Sequence, residues 1–142
     1  MVPEGRSEAT GESVTAPHTV PDTDRIAAAQ TYIDALVSHD ASAVPFAPDC
    51  VRIEIGLKTG FNANHLRRSL NGGPQYLVIR ETTQPEFTIE GDHVRARFDL
   101  LTKPSIAGRR VGAHIDETFL IPVHDGLIHH IRAGIRPFLH AG

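Results

Sequence analysis

The first part of the chain carries apolar residues at helical spacing. Within residues 22–39 they recur every three or four positions, as on one face of an α-helix: Ile26, Ala29, Ile33, Leu36 and Val37. Tyr32 lies at the edge of this face. A short second helix is predicted over ASAVPF (residues 41–46). A third is predicted over NANHLRRSL (residues 62–70), because Asn62 can cap its start.

From Gln75 onward apolar and polar residues alternate, which is typical of half-buried strands. Turn residues separate five such segments: QYLVIRETT, EFTIEG, HVRARFDLLT, RRVGAHIDETFLIP and GLIHHIRAGIR. One further strand, DCVRIEIG, precedes the third predicted helix. Helices followed by a meandering, mostly antiparallel sheet indicate an α+β fold.

The strand DCVRIEIG raises the question of which side of the sheet is inside. Val51, Ile53 and Ile55 share one face of this strand, and Arg52 and Glu54 share the other. If the apolar face packs on the helices, both charges are solvated. If the charged face is inside, the two charges lie in a cavity and can act chemically. The later strands present the same two alternatives.

The composition is that of a single globular domain. The 142 residues are 40% hydrophobic and 22% charged, with a net charge of −3, which does not favour nucleic-acid binding. No apolar run reaches the roughly 18 residues of a membrane span, and the first twenty residues lack the apolar segment of a secretory signal. The single cysteine, Cys50, suits a reducing compartment. We therefore expect a cytoplasmic protein without nucleic-acid or membrane partners.

Composition also suggests the domain boundaries. Residues 1–21 are rich in Gly, Ser, Thr, Glu and Pro, which is typical of a flexible tail. We predict one domain over residues 22–138 and a short C-terminal tail over residues 139–142.

The chain resembles the nuclear transport factor 2-like superfamily over roughly residues 22–137. The resemblance is carried by QTYIDALVSHDASAVPFAPDCVRIE, by GAHIDETF and by DGLIHHIRA. This superfamily includes ketosteroid isomerases, polyketide cyclases and limonene epoxide hydrolase. The resemblance implies a cone-shaped curved sheet wrapped on the N-terminal helices, with a small-molecule pocket. It also implies a homodimer formed through the outer face of the sheet.

The similarity to ketosteroid isomerases implies three catalytic residues. Glu54 aligns with the carboxylate that abstracts the substrate proton, and Tyr32 aligns with the oxyanion-hole tyrosine. Asp116 lies on or near the position of the protonated aspartate, and Thr118 is the other candidate on the same strand face. Proton transfer next to a carbonyl requires such a base and two such donors. No cofactor is implied, and we expect an isomerase or dehydratase for a cyclic or polyketide-like substrate.

A partial resemblance to limonene epoxide hydrolase implies a first alternative. Arg97 and Asp99, in RFD, resemble half of the group that activates water in that family, but Ala133 stands where the family has a further aspartate. The first alternative is therefore a cofactor-free hydrolase in which Asp99 or Glu54 activates water. The second alternative is a non-catalytic ligand-binding or assembly domain.

The orientation that the resemblance implies turns the ionisable side chains inward. The side chains expected to bind substrate are then Arg52, Arg97, Asp99, His114, Thr118 and His129. We expect a more polar site than a steroid site. The apolar face with Val94, Phe98, Ile115 and Phe119 would lie outside and form the dimer interface.

Two of the nine histidines, together with one aspartate, raise the question of a metal site. His114 and Asp116, with His130, have the residue types of a two-histidine, one-carboxylate iron site. The hairpin turn that begins at Pro122 would pair His130 nearer Thr118 than His114. No metal ion is therefore expected.

Overall fold

The described chain consists of three helices and seven strands. The computed structural model describes residues 19–106 and 108–141. The helices are α1 (Asp22–Ser38), α2 (Ala63–Gly72) and α3 (Pro74–Leu77). The strands are β1 (Phe46–Glu54), β2 (Leu57–Gly60), β3 (Ile79–Thr82), β4 (Glu86–Glu90), β5 (His93–Ile106), β6 (Arg109–Leu120) and β7 (Ile128–Ala141). Most of the tail predicted for residues 1–21 lies outside the described residues.

The strands form one curved, unclosed sheet. Their order is β2-β1-β7-β6-β5-β3, and β4 also pairs with β5. Strands β1 and β7 are parallel, and the other pairs are antiparallel. The predicted α+β cone is confirmed. Because β7 continues to Ala141, residues 139–141 belong to the sheet and not to the predicted C-terminal tail.

Local sequence explains where the helices form. Asn62 caps α2 as predicted, since its Oδ1 accepts a hydrogen bond from the backbone N–H of His65 at 2.8 Å. The helix predicted over residues 41–46 is wrong, because a turn leads there into β1. Pro45 has no N–H to donate to the carbonyl of Ala41, and this carbonyl accepts instead from the N–H of Val44 at 3.2 Å.

The start of the predicted strand QYLVIRETT is also helical. Pro74 occupies the first turn of α3, where its missing N–H costs nothing. Strand β3 begins only at Ile79. This short helix brings Tyr76 under the sheet, where it is buried.

The inner face of the sheet, which faces the helices, is apolar on β5 and β6 except for Glu117. Val94, Phe98, Ile115 and Phe119 are all buried in the core. The ring of Phe119 meets that of Tyr32 on α1 edge to face, with 5.4 Å between their centroids. The apolar dimer interface predicted from these four residues is therefore wrong, because they pack inside their own chain. The homodimer stays a prediction without this support.

Strand β1 has the opposite orientation, with its ionisable face inside. Arg52 and Cys50 are fully buried, and Glu54 is half-buried. Val51 and Ile53 are only partly buried on the other face, and Ile55 beyond them is exposed. The charged face is therefore inside on β1, whereas the apolar face is inside on β5 and β6.

Candidate active site

A cavity opens between α1, α3 and the inner face of the sheet. Its volume is about 220 Å³. Most of the wall is aliphatic or aromatic, and the polar groups are two carboxyls, two phenols, one amide and one hydroxyl. The lining residues are Tyr32, Leu36, Glu54, Gln75, Tyr76, Val78, Ile79, Phe98, Leu100, Thr102, Ala113, Ile115, Glu117, Ala133 and Ile135.

Two glutamates enter this cavity from different strands. Glu54 ends β1 and Glu117 lies on β6. Ala133 of β7 is the register partner of both, so it lies between them in the sheet. At about 4.8 Å between neighbouring strands, the two glutamate backbones are roughly 10 Å apart. The small side chain of Ala133 leaves the space between the carboxyls open.

Glu117 is a buried acid that is not fully hydrogen-bonded. The residue is 3% exposed, and its Oε1 has no partner among the described residues. Burial raises the pKa of Glu117 from 4.5 to about 8, and the nearby charge of Glu54 adds to the effect while Arg52 opposes it. Glu117 is therefore a protonated donor at neutral pH.

Glu54 has a more polar environment than Glu117. The hydroxyl of Tyr76 donates a hydrogen bond to its Oε1 at 2.8 Å. The Nε of Arg52 lies 3.7 Å from its Oε2. Contacts of both kinds stabilise a charged carboxylate. The two carboxyls of the cavity thus differ in their surroundings.

Tyr32 supplies a phenol at the inner end of the cavity. Its oxygen accepts a hydrogen bond from Nη1 of Arg52 at 3.2 Å. Its ring packs edge to face against Phe46 and Phe119, with 6.1 and 5.4 Å between centroids. Burial raises the pKa of Tyr32 well above 10.0, so the phenol keeps its proton.

Arg52 lies behind these groups and does not line the cavity. Its Nε donates to Oγ1 of Thr59 at 3.1 Å, and its Nη2 donates to the Thr59 carbonyl at 3.0 Å and to Oγ of Ser69 at 3.2 Å. A buried charge is tolerated when it is paired and hydrogen-bonded. These partners explain why β1 turns its charged face inward.

The structure brings Tyr32 and Glu54 together at the cavity but places Asp116 outside it. Asp116 lies on the outer face of β6, where Nε and Nη2 of Arg95 donate to its two oxygens at 2.9 and 2.6 Å. The hydrogen bonds from Arg95 lower the pKa of Asp116. A charged surface carboxylate cannot occupy the position of a protonated cavity acid. Glu117, one residue further along, lines the cavity instead.

Four of the predicted substrate-binding residues also lie on the outer face. Arg97, Asp99, His114 and Thr118 alternate with the buried apolar residues of β5 and β6, so they point away from the cavity. Nδ1 of His114 is 2.7 Å from Oδ1 of Asp99. Arg97, Asp99 and His114 line a separate pocket on the outer face, whereas the cavity beneath the sheet is mostly apolar.

His129 lies away from the cavity as well. Its Nε2 is 2.7 Å from Oδ2 of Asp125, in the turn before β7. Ile131, Ala133 and Ile135 point inward on this strand, and the last two line the cavity.

Sequence reasoning missed Glu117 and Tyr76. Glu117 interrupts the apolar inward positions of β6, between Ile115 and Phe119. One carboxyl in an apolar strand face is the signal that could have revealed it. Tyr76 carried no such signal, because its segment reads as a strand in the sequence.

The described part of the chain contains neither a cluster of three or more His, Cys, Asp or Glu side chains arranged for a metal ion nor a helix long and apolar enough to cross a membrane.

Several solved structures have a similar fold. An LEH-like epoxide hydrolase from Mycobacterium tuberculosis is 19% identical, with a TM-score of 0.63 over 81% of this chain and 85% of that chain. A candidate SnoaL-like polyketide cyclase from Jannaschia sp. CCS1 is 14% identical, with a TM-score of 0.62 over 87% and 91%. A candidate SnoaL-like isomerase from Agrobacterium tumefaciens strain C58 is 13% identical, with a TM-score of 0.59 over 80% and 97%.

These matches confirm the fold predicted from the resemblance to the nuclear transport factor 2-like superfamily. The chain belongs to the family described as "Domain of unknown function (DUF8021)", whose profile matches residues 20–135. A comparison with curated proteins gives no match.

Proposed function

We propose that this protein is a cofactor-free enzyme that moves a proton within a small neutral carbonyl compound. Glu54 is the base, and Tyr32 and Glu117 are the hydrogen-bond donors at the carbonyl oxygen. The contrast between the two carboxyls of one cavity carries this proposal. Glu54 contacts a cation and a phenol, whereas Glu117 is buried with an unpartnered oxygen. Such contrasts commonly separate the base from the acid in enzymes.

The reaction begins when Glu54 takes a proton from the carbon next to the carbonyl. The electrons of that C–H bond move into the carbonyl group, and the negative charge on its oxygen is stabilised by the O–H groups of Tyr32 and Glu117. Glu54 then returns the proton to another carbon of the conjugated system, and the carbonyl re-forms. The product is an isomer of the substrate, so the atoms balance without a cofactor.

The cavity limits the size and charge of the substrate. Its volume of about 220 Å³ lies between a roughly 150 Å³ cavity that holds benzene and the roughly 300–1,000 Å³ of drug-sized sites. A fully enclosed ligand is therefore about one substituted ring. Arg52 is sealed behind the wall, so an anionic ligand would meet two carboxyls and no cation. A neutral ligand with one inward oxygen fits best.

The test is deuterium exchange from a panel of monocyclic ketones in D2O, followed by proton NMR. We expect wild-type protein to exchange protons next to the carbonyl. Glu54→Gln should lose on the order of 100-fold in rate and keep its ligand affinity. Affinity can be followed by tyrosine fluorescence, because the chain has no tryptophan and its two tyrosines both line the cavity.

Asp116→Asn is the matched control, since it alters a carboxylate on the outer face and should exchange at the wild-type rate. Equal rates in wild type and Glu54→Gln would contradict the proposal. Binding of a ketone without exchange by the wild type would instead support the non-catalytic alternative.

Hydrolysis is a second candidate, favoured by the protonated state of Glu117. This acid could protonate an epoxide oxygen while Glu54 activates water for attack on the ring carbon. The route through Asp99 is not supported, because Asp99 lies on the outer face beside His114. Incorporation of labelled oxygen from H2¹⁸O into a diol would distinguish hydrolysis from isomerisation.

A further inference from the structure

Arg52 contacts three polar groups of the candidate site, Tyr32, Glu54 and Tyr76, without lining the cavity. It is fully buried. Thr59 and Ser69 accept three hydrogen bonds from its guanidinium, and Tyr32 accepts a fourth. A guanidinium has five N–H groups, so four of the possible bonds are already made within the protein. Arg52 cannot serve as a substrate-binding residue in this arrangement.

The same guanidinium distinguishes the two carboxyls. It lies 3.7 Å from Glu54 and 4.5 Å above the ring of Tyr76, whose hydroxyl donates to Glu54. Its cation–π contact holds that ring in place. Glu117 makes no ion pair or hydrogen bond with Arg52 among the described contacts. Two carboxylates in one cavity repel each other. The negative charge is therefore favoured on the carboxyl that lies beside the cation.

Arg52 also fixes the direction of the Tyr32 hydroxyl. Because the Tyr32 oxygen accepts from Nη1 of Arg52, its own hydrogen must point elsewhere. No described residue accepts this hydrogen, and Tyr32 lines the cavity. The Tyr76 hydrogen, in contrast, is already donated to Glu54. Tyr32 is thus the phenol that remains available to a ligand.

We infer that Arg52 is the positioning residue that assigns the roles in this site. It keeps Glu54 as the charged base, leaves the shared proton on Glu117, and aims the Tyr32 hydroxyl into the cavity. This inference rests on the proposed function for the meaning of those roles. The arrangement itself can be tested without turnover.

The experiment follows the side-chain carboxyl signals of ¹³C-labelled glutamates by NMR as the pH is changed. The signals of Glu54 and Glu117 are assigned with Glu54→Gln and Glu117→Gln. In wild-type protein we expect the Glu117 signal to change near pH 8. In Arg52→Gln the Glu117 signal should change at higher pH than in wild type, because Arg52 lowers the pKa of Glu117. The Glu54 signal should change together with it, because a coupled pair then shares the proton.

Arg25→Gln is the matched control for the loss of a buried arginine. Arg25 is also buried, and it donates to the carbonyls of Ile121 and Gly91, away from the cavity. This variant should lose stability and keep the wild-type titration of both glutamates. A change common to both arginine variants would mean that Arg52 has only a structural role.

Arg52→Lys and Ser69→Ala keep the inference testable if Arg52→Gln does not fold. Lysine keeps the charge but lacks the planar fork, so the charge on Glu54 should be retained while the exchange rate falls on the order of 100-fold. Ser69→Ala removes one anchor of the guanidinium and should couple the two signals weakly. Wild-type titrations in all folded variants would overturn the inference. If Glu54→Gln keeps full exchange activity while Arg52→Gln couples the signals, only the proposed reaction fails.

Discussion

At the scale of single residues, the burial of Glu117 has a consequence for stability. Its pKa is about 8 in the folded chain and 4.5 ordinarily. The folded state therefore holds a proton that the unfolded chain releases between these two values. The stabilising effect is fully present below about pH 4.5 and is lost as the pH rises to about 8. The slope over this window is about 1.4 kcal/mol per pH unit.

We expect Glu117→Gln to remove this pH dependence. The amide is neutral at every pH and has nearly the same shape, so the free energy of unfolding should no longer fall with pH over that window. Urea denaturation at a series of pH values measures the slope. Glu90→Gln, at an exposed glutamate on β4, is the control and should keep the wild-type slope. The same slope in Glu117→Gln would show that another group carries the effect.

At the scale of elements, the β1–β2 hairpin contains a residue with an unfavourable backbone conformation, next to the candidate base Glu54. Glu54 pairs with Leu57, so Ile55 and Gly56 form a two-residue loop. Their φ angles are 49° and 75°. Tight hairpin turns of type I′ require such positive values and favour Asn-Gly. Ile55 is β-branched and 66% exposed, so it bears a conformational cost that little burial offsets.

We expect Ile55→Asn to raise the free energy of unfolding by about 1 kcal/mol, because asparagine tolerates the left-handed region better. Chemical denaturation checks this value. Leu57→Asn is the control, since Leu57 is 69% exposed and lies in β2 beside the loop, where asparagine should give no gain. A loss of stability in Ile55→Asn would indicate that Ile55 packs against something outside the described contacts.

At the scale of the whole molecule, the two faces of the sheet differ in polarity. On β5 and β6 the inner face is apolar except for Glu117, and the outer face carries charged side chains such as Arg97 and Asp116. The outer charges are partly compensated, as in the pair of Asp116 with Arg95. Helices cover the inner face, so the apolar residues are buried without a second chain.

Phe98→Lys tests this assignment of faces. Phe98 is 5% exposed, and an unpaired charge at a buried position destabilises by about 3 kcal/mol or more. We expect loss of folded structure by circular dichroism and thermal denaturation. The control is Arg97→Glu, at the neighbouring position on the outer face, which should remain folded. A folded Phe98→Lys protein that elutes at a lower mass would support the dimer interface originally predicted from the sequence.

The amino-acid sequence was sufficient to predict the fold class and part of the candidate site. Helical spacing predicted α1, an asparagine cap predicted α2, and alternation predicted the long strands. The motif around Tyr32 and Glu54 led to two residues that do line the cavity. These features are local, because period and capping depend on neighbours along the chain.

Which face of each strand is inside depends on contacts that exist only in the folded chain. Strand alternation offers two sets of side chains, and a shift of one residue exchanges them, so a resemblance that is displaced by one residue points to Asp116 in place of Glu117. Burial of the charged face of β1 depends on Tyr32, Thr59 and Ser69, which belong to α1, β2 and α2. A charged side chain is buried only where hydrogen-bond partners that are distant in sequence lie next to it. These partners come together only in the folded chain.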